Sequence, residues 1–257
     1  MQWSQLRPTG RAFLLVCALF MFVACGSEMP SSPASVSTPH PTPTPTTPVV
    51  PSRLVHFSTS DHVQLAGVLF GHGKTAVVCS HELHTTKAIW SQSRIVPLLA
   101  LHGYMVLAYD FRGNGDSAGQ ADAGTLDVDL HAASAFVRQQ GATKLVLLGS
   151  SMGGTATLKA AAREQVAAVA TLSAPQDFGP GVSDAEVKAI RAAKLFVNSQ
   201  NDDYASNTTH MYGIADPPKE IKLYSGSLHG TDIFASEDGS DLIQRILNFV
   251  VQYAPAS

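Results

Sequence analysis

The chain has 257 residues, 45% of them hydrophobic and 14% charged, with a formal net charge of −3. That length holds one α/β domain of ordinary size or two small ones, and the slightly acidic balance gives no electrostatic reason to expect nucleic acid as a partner. The ten histidines and three cysteines are scattered without H-E-x-x-H, C-x-x-C or paired-His spacing, so neither a metal nor a cofactor is expected.

Residues 1–24 read as a targeting segment. Arg7 and Arg11 form a positive n-region, and Ala12 to Ala24 is an apolar stretch too short to span a bilayer comfortably. It closes on Phe22-Val23-Ala24-Cys25-Gly26, which resembles a bacterial lipobox, with Phe22 where leucine is usual. The resemblance implies a lipoprotein signal peptide, cleavage before Cys25 and lipid on that cysteine. The protein is then expected outside the cytoplasm, touching a bacterial membrane only through the lipid. An ordinary secretory signal or a short N-terminal anchor is the alternative, and it exports the domain equally. Residues 25–52 are rich in Pro, Ser and Thr, and Pro41-Thr42-Pro43-Thr44-Pro45 favours extended polyproline II, so this stretch reads as a tether.

A folded domain is expected over 53–257. Leu54 to Phe57 and Val63 to Phe70, broken by Ser60-Asp61, predict a hairpin at a sheet edge. Strands and helices then alternate. Strands are expected at 76–79, 104–109, 144–148, 166–172, 194–198 and 220–224. Helices are expected at 89–101, 126–139, 151–163, 183–193, 205–214 and 240–253. Such alternation forces a mostly parallel, doubly wound sheet with helices on both faces. The short, nearly all-apolar strands fit burial on both sides. Cys79, in one of them, reads as a small buried hydrophobe with no partner for a disulfide.

The most informative motif is Gly149-Ser150-Ser151-Met152-Gly153, directly after the apolar run Leu145 to Leu148. It reads as G-x-S-x-G on a strand-to-helix turn, with Ser151 as nucleophile. A serine hydroxyl needs a base and a carboxylate to activate it. In a doubly wound sheet such groups sit past the carboxyl ends of strands. Asp202 or Asp203 follows the strand at 194–198, and His229 follows the strand at 220–224. The order Ser, Asp, His matches the α/β-hydrolase order.

On these residues the chain from Arg53 to Tyr253 resembles the α/β-hydrolase-fold serine hydrolases, nearest to their dienelactone hydrolase and prolyl-oligopeptidase-like branch. Gly103 to Ser117, containing Asp110-Phe111-Arg112-Gly113, resembles that family's strand-and-loop pattern before the nucleophile. Ser199-Gln200-Asn201-Asp202 matches its G-x-x-D with Ser in place of Gly, which favours Asp202 over Asp203 as the triad acid. The resemblance implies one oxyanion donor at the Met152 N–H and a second at the Leu83 N–H. The loop Ser80-His81-Glu82-Leu83-His84 departs from the family's His-Gly-x, and Glu82 is expected to point away from the oxyanion hole. His81 and His84 read as loop or core hydrogen bonders, Asp110 and Arg112 as loop organisers, and Ser150 as a small filler.

Between Ala174 and Lys194 there is room for one loop and one helix, so no sizeable cap domain is expected. The reading is a monomeric serine esterase acting on small soluble carboxylic esters. A dienelactone-type or peptidase-like hydrolase is the in-class alternative. A non-catalytic surface lipoprotein using the fold as a binding module is the alternative outside it.

Overall fold

The computed structural model describes residues 50–256. The signal segment, Cys25 and nearly all of the tether lie outside the described residues.

Among the described residues eight strands form one sheet: β1 (Ser52–Ser58), β2 (Gln64–Phe70), β3 (Thr75–Ser80), β4 (Met105–Tyr109), β5 (Lys144–Ser150), β6 (Ala168–Leu172), β7 (Ala193–Ser199) and β8 (Lys219–Tyr224). Their spatial order is β1-β2-β4-β3-β5-β6-β7-β8. The expected hairpin is the edge pair β1 and β2, joined antiparallel to each other and to β4. From β4 to β8 every neighbouring pair is parallel. The chain reverses its direction of travel at β3, so the ends of β3 and β5 lie side by side, with Ser80 opposite Gly149. That reversal opens a crevice outside the strand ends, where ligands bind in such sheets.

The helices are α1 (Ala88–Ser91), α2 (Ile95–Leu101), α3 (Leu126–Gln139), α4 (Met152–Ala161), α5 (Asp184–Ala189), α6 (Ala205–Ile214) and α7 (Gly239–Tyr253). Alternate strand residues serve opposite faces. Val78, Leu107, Leu147 and Val169 pack under α3 and α4 and Phe196 under α6, while Val77, Val106, Val146, Leu148 and Val197 pack under α2 and α7. The spacing read along α7 holds: Leu242, Ile246, Phe249 and Val250 are buried and Tyr253 is partly so. Cys79 is a buried free thiol, and desolvation raises its pKa far above the ordinary range.

Two helices differ from expectation for local reasons. The single helix expected at 89–101 is two, separated at Gln92–Arg94. Pro97 has no N–H to give to the carbonyl four residues back, so a continuous helix loses that bond. Restarting at Ile95 puts Pro97 in the first turn, where no donor is required. Ser93 closes the preceding turn with its hydroxyl on the Trp90 carbonyl (2.6 Å). The helix expected over 183–193 ends at Ala189. It begins on a capping box between Ser183 and Glu186. Beyond its end the Ile190 and Ala192 carbonyls are taken by the buried Lys194 ammonium at 2.8 and 2.6 Å. This six-residue helix and its loop fill the interval between β6 and β7, and no cap domain is inserted there.

Candidate active site

Ser151 sits between β5 and α4 at φ 49°, ψ −120°, a left-handed backbone that a non-glycine residue adopts only when its surroundings enforce it. The glycines on either side make this possible. A Cβ on Gly149 would strike the Gly153 carbonyl, and one on Gly153 would strike the Ser80 and His81 carbonyls. Strand, turn and helix can therefore close only without side chains at these two points. The turn is tied to the sheet by the Ser151 N–H on the Leu172 carbonyl (2.8 Å), and it starts the helix with its own carbonyl, which accepts from Gly154 and Thr155. The Ser151 side chain is left at the surface of the crevice, half-buried.

His229 lies past β8 and Asp202 past β7, as the motif order requires. The imidazole Nδ1 and Asp202 Oδ2 are 2.6 Å apart, and the Asp202 side chain is nearly buried. The other carboxylate oxygen accepts the Tyr204 N–H at 2.8 Å. Holding both oxygens fixes the carboxylate and, through it, the ring's tautomer with the proton on Nδ1. Asp203 is exposed and takes no part in this pair. Tyr204 lies against the imidazole, with ring centroids 5.6 Å apart. Among the described residues no hydrogen bond joins Ser151 Oγ to the ring. Such bonds commonly tighten only when substrate is bound.

The Met152 N–H opens α4, and the Leu83 N–H lies in the turn after β3. Among the described residues neither has an acceptor within the protein. Glu82, beside Leu83, has its carboxylate engaged elsewhere. Glu82 Oε1 accepts from Ser150 Oγ (2.5 Å), the Thr231 N–H (2.6 Å) and Thr231 Oγ1 (2.9 Å). Ser150 is thus more than the small filler its position implied. Nothing local to Glu82 or Ser150 announces this contact, because its partners are 68 and 149 residues apart in sequence. Two further clamps also escaped sequence reasoning: Ser199 Oγ donates to the Leu228 carbonyl (2.6 Å), and the Gly230 N–H donates to Ser173 Oγ (2.9 Å).

His81 is fully buried, with Nδ1 2.7 Å from the Glu82 carbonyl and Nε2 accepting the Phe111 N–H at 3.0 Å. Both ring nitrogens are committed, which makes it a neutral core histidine, and burial lowers its pKa. His84 is an exposed turn residue at φ 60°. Asp110 and Arg112 organise the loop after β4. Asp110 accepts from the Lys87 backbone and ammonium, both at 2.6 Å, and Arg112 pairs with Asp129 and Asp61, both at 2.7 Å. Among the described residues no three His, Cys, Asp or Glu side chains are grouped to hold a metal ion.

Fold and site define a class. A profile described as the alpha/beta hydrolase fold matches residues 68–214, more than half of the chain, and the protein belongs to that family. Among solved structures the chain is similar to an esterase of Pyrococcus furiosus, at 17% identity and TM-score 0.69, covering 79% of this chain and 93% of that one. It is also similar to a hydrolase of a Penicillium species (19%, TM-score 0.68, 79% and 99% covered). The esterase domain of a Rhodothermus marinus protein gives 23%, TM-score 0.63, with 79% and 99% covered. No curated protein sequence matches. Likeness at these identities is likeness of fold.

Proposed function

We propose that the protein is a serine hydrolase that cleaves small soluble carboxylic esters through an acyl-serine intermediate. The observation that carries this is the buried Asp202 carboxylate on His229 Nδ1, set beside a serine on a strained strand-to-helix turn. In this reading Ser151 Oγ attacks the ester carbonyl while His229 Nε2 takes its proton. The tetrahedral intermediate collapses as His229 returns that proton to the leaving alcohol. Water, deprotonated by the same ring, then releases the acid and restores Ser151. Asp202 holds the tautomer and stabilises the imidazolium. The free Met152 and Leu83 N–H groups are the oxyanion donors, each worth roughly 10²–10³ in rate.

Three features support a small ester over a long-chain lipid. No cap covers the crevice among the described residues, Ser151 is at the surface, and the exposed Leu83 and Leu228 give only a shallow apolar rim. Similar structures named as esterases support ester hydrolysis as the reaction. A panel of p-nitrophenyl esters of graded acyl length tests the reading: acetate to butyrate is hydrolysed fastest and Ser151→Ala hydrolyses none. Equal turnover by Ser151→Ala would overturn it. The proposal includes export and a lipid on Cys25 as the anchor. Cys25→Ser then releases the protein from membranes, and unchanged retention would count against lipidation.

A further inference from the structure

We infer that Glu82 is a positioning residue that sets the spacing between Ser151 and His229, a role that rests on the serine-hydrolase reading above. The histidine ring is oriented by Asp202, but its backbone is placed by its neighbours. Leu228 is held by Ser199 and Gly230 by Ser173. Thr231 is held twice by Glu82, through its N–H and its hydroxyl. Of these holds, that of Glu82 alone also grips the nucleophile turn, because the oxygen that binds Thr231 also accepts the Ser150 hydroxyl at 2.5 Å. One carboxylate oxygen therefore stands between the residue before the nucleophile and the residue two past the base.

The packing supports a tight bridge. Gly230 has φ 54°, and a Cβ there would collide with Glu82 Oε1 and Ser150 Oγ, so the histidine loop is pressed onto this pair. Hydrogen bonds to a carboxylate are shorter and about twice as strong as neutral ones. Three of them on one partly buried oxygen hold two loops in register better than van der Waals contact alone. Proton transfer depends steeply on this register, since a displacement near 1 Å costs roughly 10²-fold.

The test compares Glu82→Ala, Glu82→Gln and Ser150→Ala in the full chain, with p-nitrophenyl acetate turnover expressed per serine titrated by a fluorophosphonate. Glu82→Ala is expected to lower kcat about 10- to 100-fold with KM within about twofold, and Glu82→Gln, which keeps an acceptor oxygen, to recover most of it. The low-field proton NMR signal of His229 Nδ1–H, assigned by its loss in Asp202→Asn, should broaden in Glu82→Ala and stay sharp in Glu82→Gln. Wild-type kcat and an unchanged proton signal in Glu82→Ala would overturn the inference. If that variant does not fold, Ser150→Ala decides by the same two readouts. A wild type that shows the proton, loses it in Glu82→Ala and hydrolyses no ester would contradict the hydrolase reading while upholding the positioning role.

Discussion

The Ser151 turn at Gly149–Gly153 and the histidine loop at Leu228–Thr231 abut through Ser150 and Gly230, yet they are built by different means. The turn is built from contiguous sequence. An apolar strand runs into a glycine that lets the chain double back, and a second glycine lets α4 close on the carbonyls ending β3. The histidine loop has no such local code. The Leu228 carbonyl, the Gly230 and Thr231 N–H groups and the His229 ring are held from outside, by Ser199, Ser173, Glu82 and Asp202. Damage to the two glycines of the first region should therefore appear as lost folding. Damage to the second should appear as lost rate in a folded protein.

The sharpest contrast lies within two adjacent carboxylates. Asp202→Asn presents the imidazole with a group that favours the wrong tautomer, and ester hydrolysis is expected to fall by roughly 10⁴ in kcat with the fold intact. Asp203→Asn, at an exposed position, should leave kcat near wild type. A steady-state comparison of the two variants with circular dichroism as control checks this, and equal losses would break the assignment.

On the turn, Gly153→Ala drives a methyl group into the Ser80 and His81 carbonyls. We expect about 3 kcal/mol or more of lost stability, read as a lower denaturation midpoint in urea, with little soluble protein at 37 °C. A folded, stable but slow Gly153→Ala would erase the distinction between the two regions.

Ser199→Ala removes one hydrogen bond to the histidine loop and should do the reverse. Stability should change by about 1 kcal/mol and kcat should drop several-fold, measured on the same preparation.

The smallest effect concerns His81, buried in the loop after β3. Its ring is neutral in the fold and its pKa is lowered by burial. The unfolded chain therefore takes up the proton first, at an ordinary value near 6.5. Stability is fully present above that value and declines as pH falls from about 6.5 toward the lowered folded value. Urea midpoints at pH 7.5 and 5.5 should differ in the wild type and differ less in His81→Asn.

The same contrast explains what could be read from the amino-acid order. The alternation of apolar strands with helices, the edge hairpin, the absence of a cap and the bounds of α3 and α6 all follow from local periodicity and punctuation, and they hold in the structure. Spacing past β7 narrowed the partner of His229 to Asp202 or Asp203, and the resemblance of Ser199 to Asp202 to G-x-x-D favoured Asp202, the residue the structure pairs with the ring. The break between α1 and α2 was also written locally, in Pro97, but the apolar period from Ile89 to Leu101 masked it. Glu82, Ser150, Ser173 and Ser199 were not legible. Each acts on a residue far away in sequence, and only the stacking of β3, β5, β6 and β7 brings their ends together.

Everything proposed for the site turns on whether Ser151 is the nucleophile. Treating the purified domain with a fluorophosphonate and locating the adduct by peptide mass spectrometry addresses this directly. The account predicts a single phosphonyl adduct on Ser151 that is absent in Ser151→Ala and slowed in His229→Ala. A folded wild type that takes up no label, or takes it up elsewhere than Ser151, would contradict it.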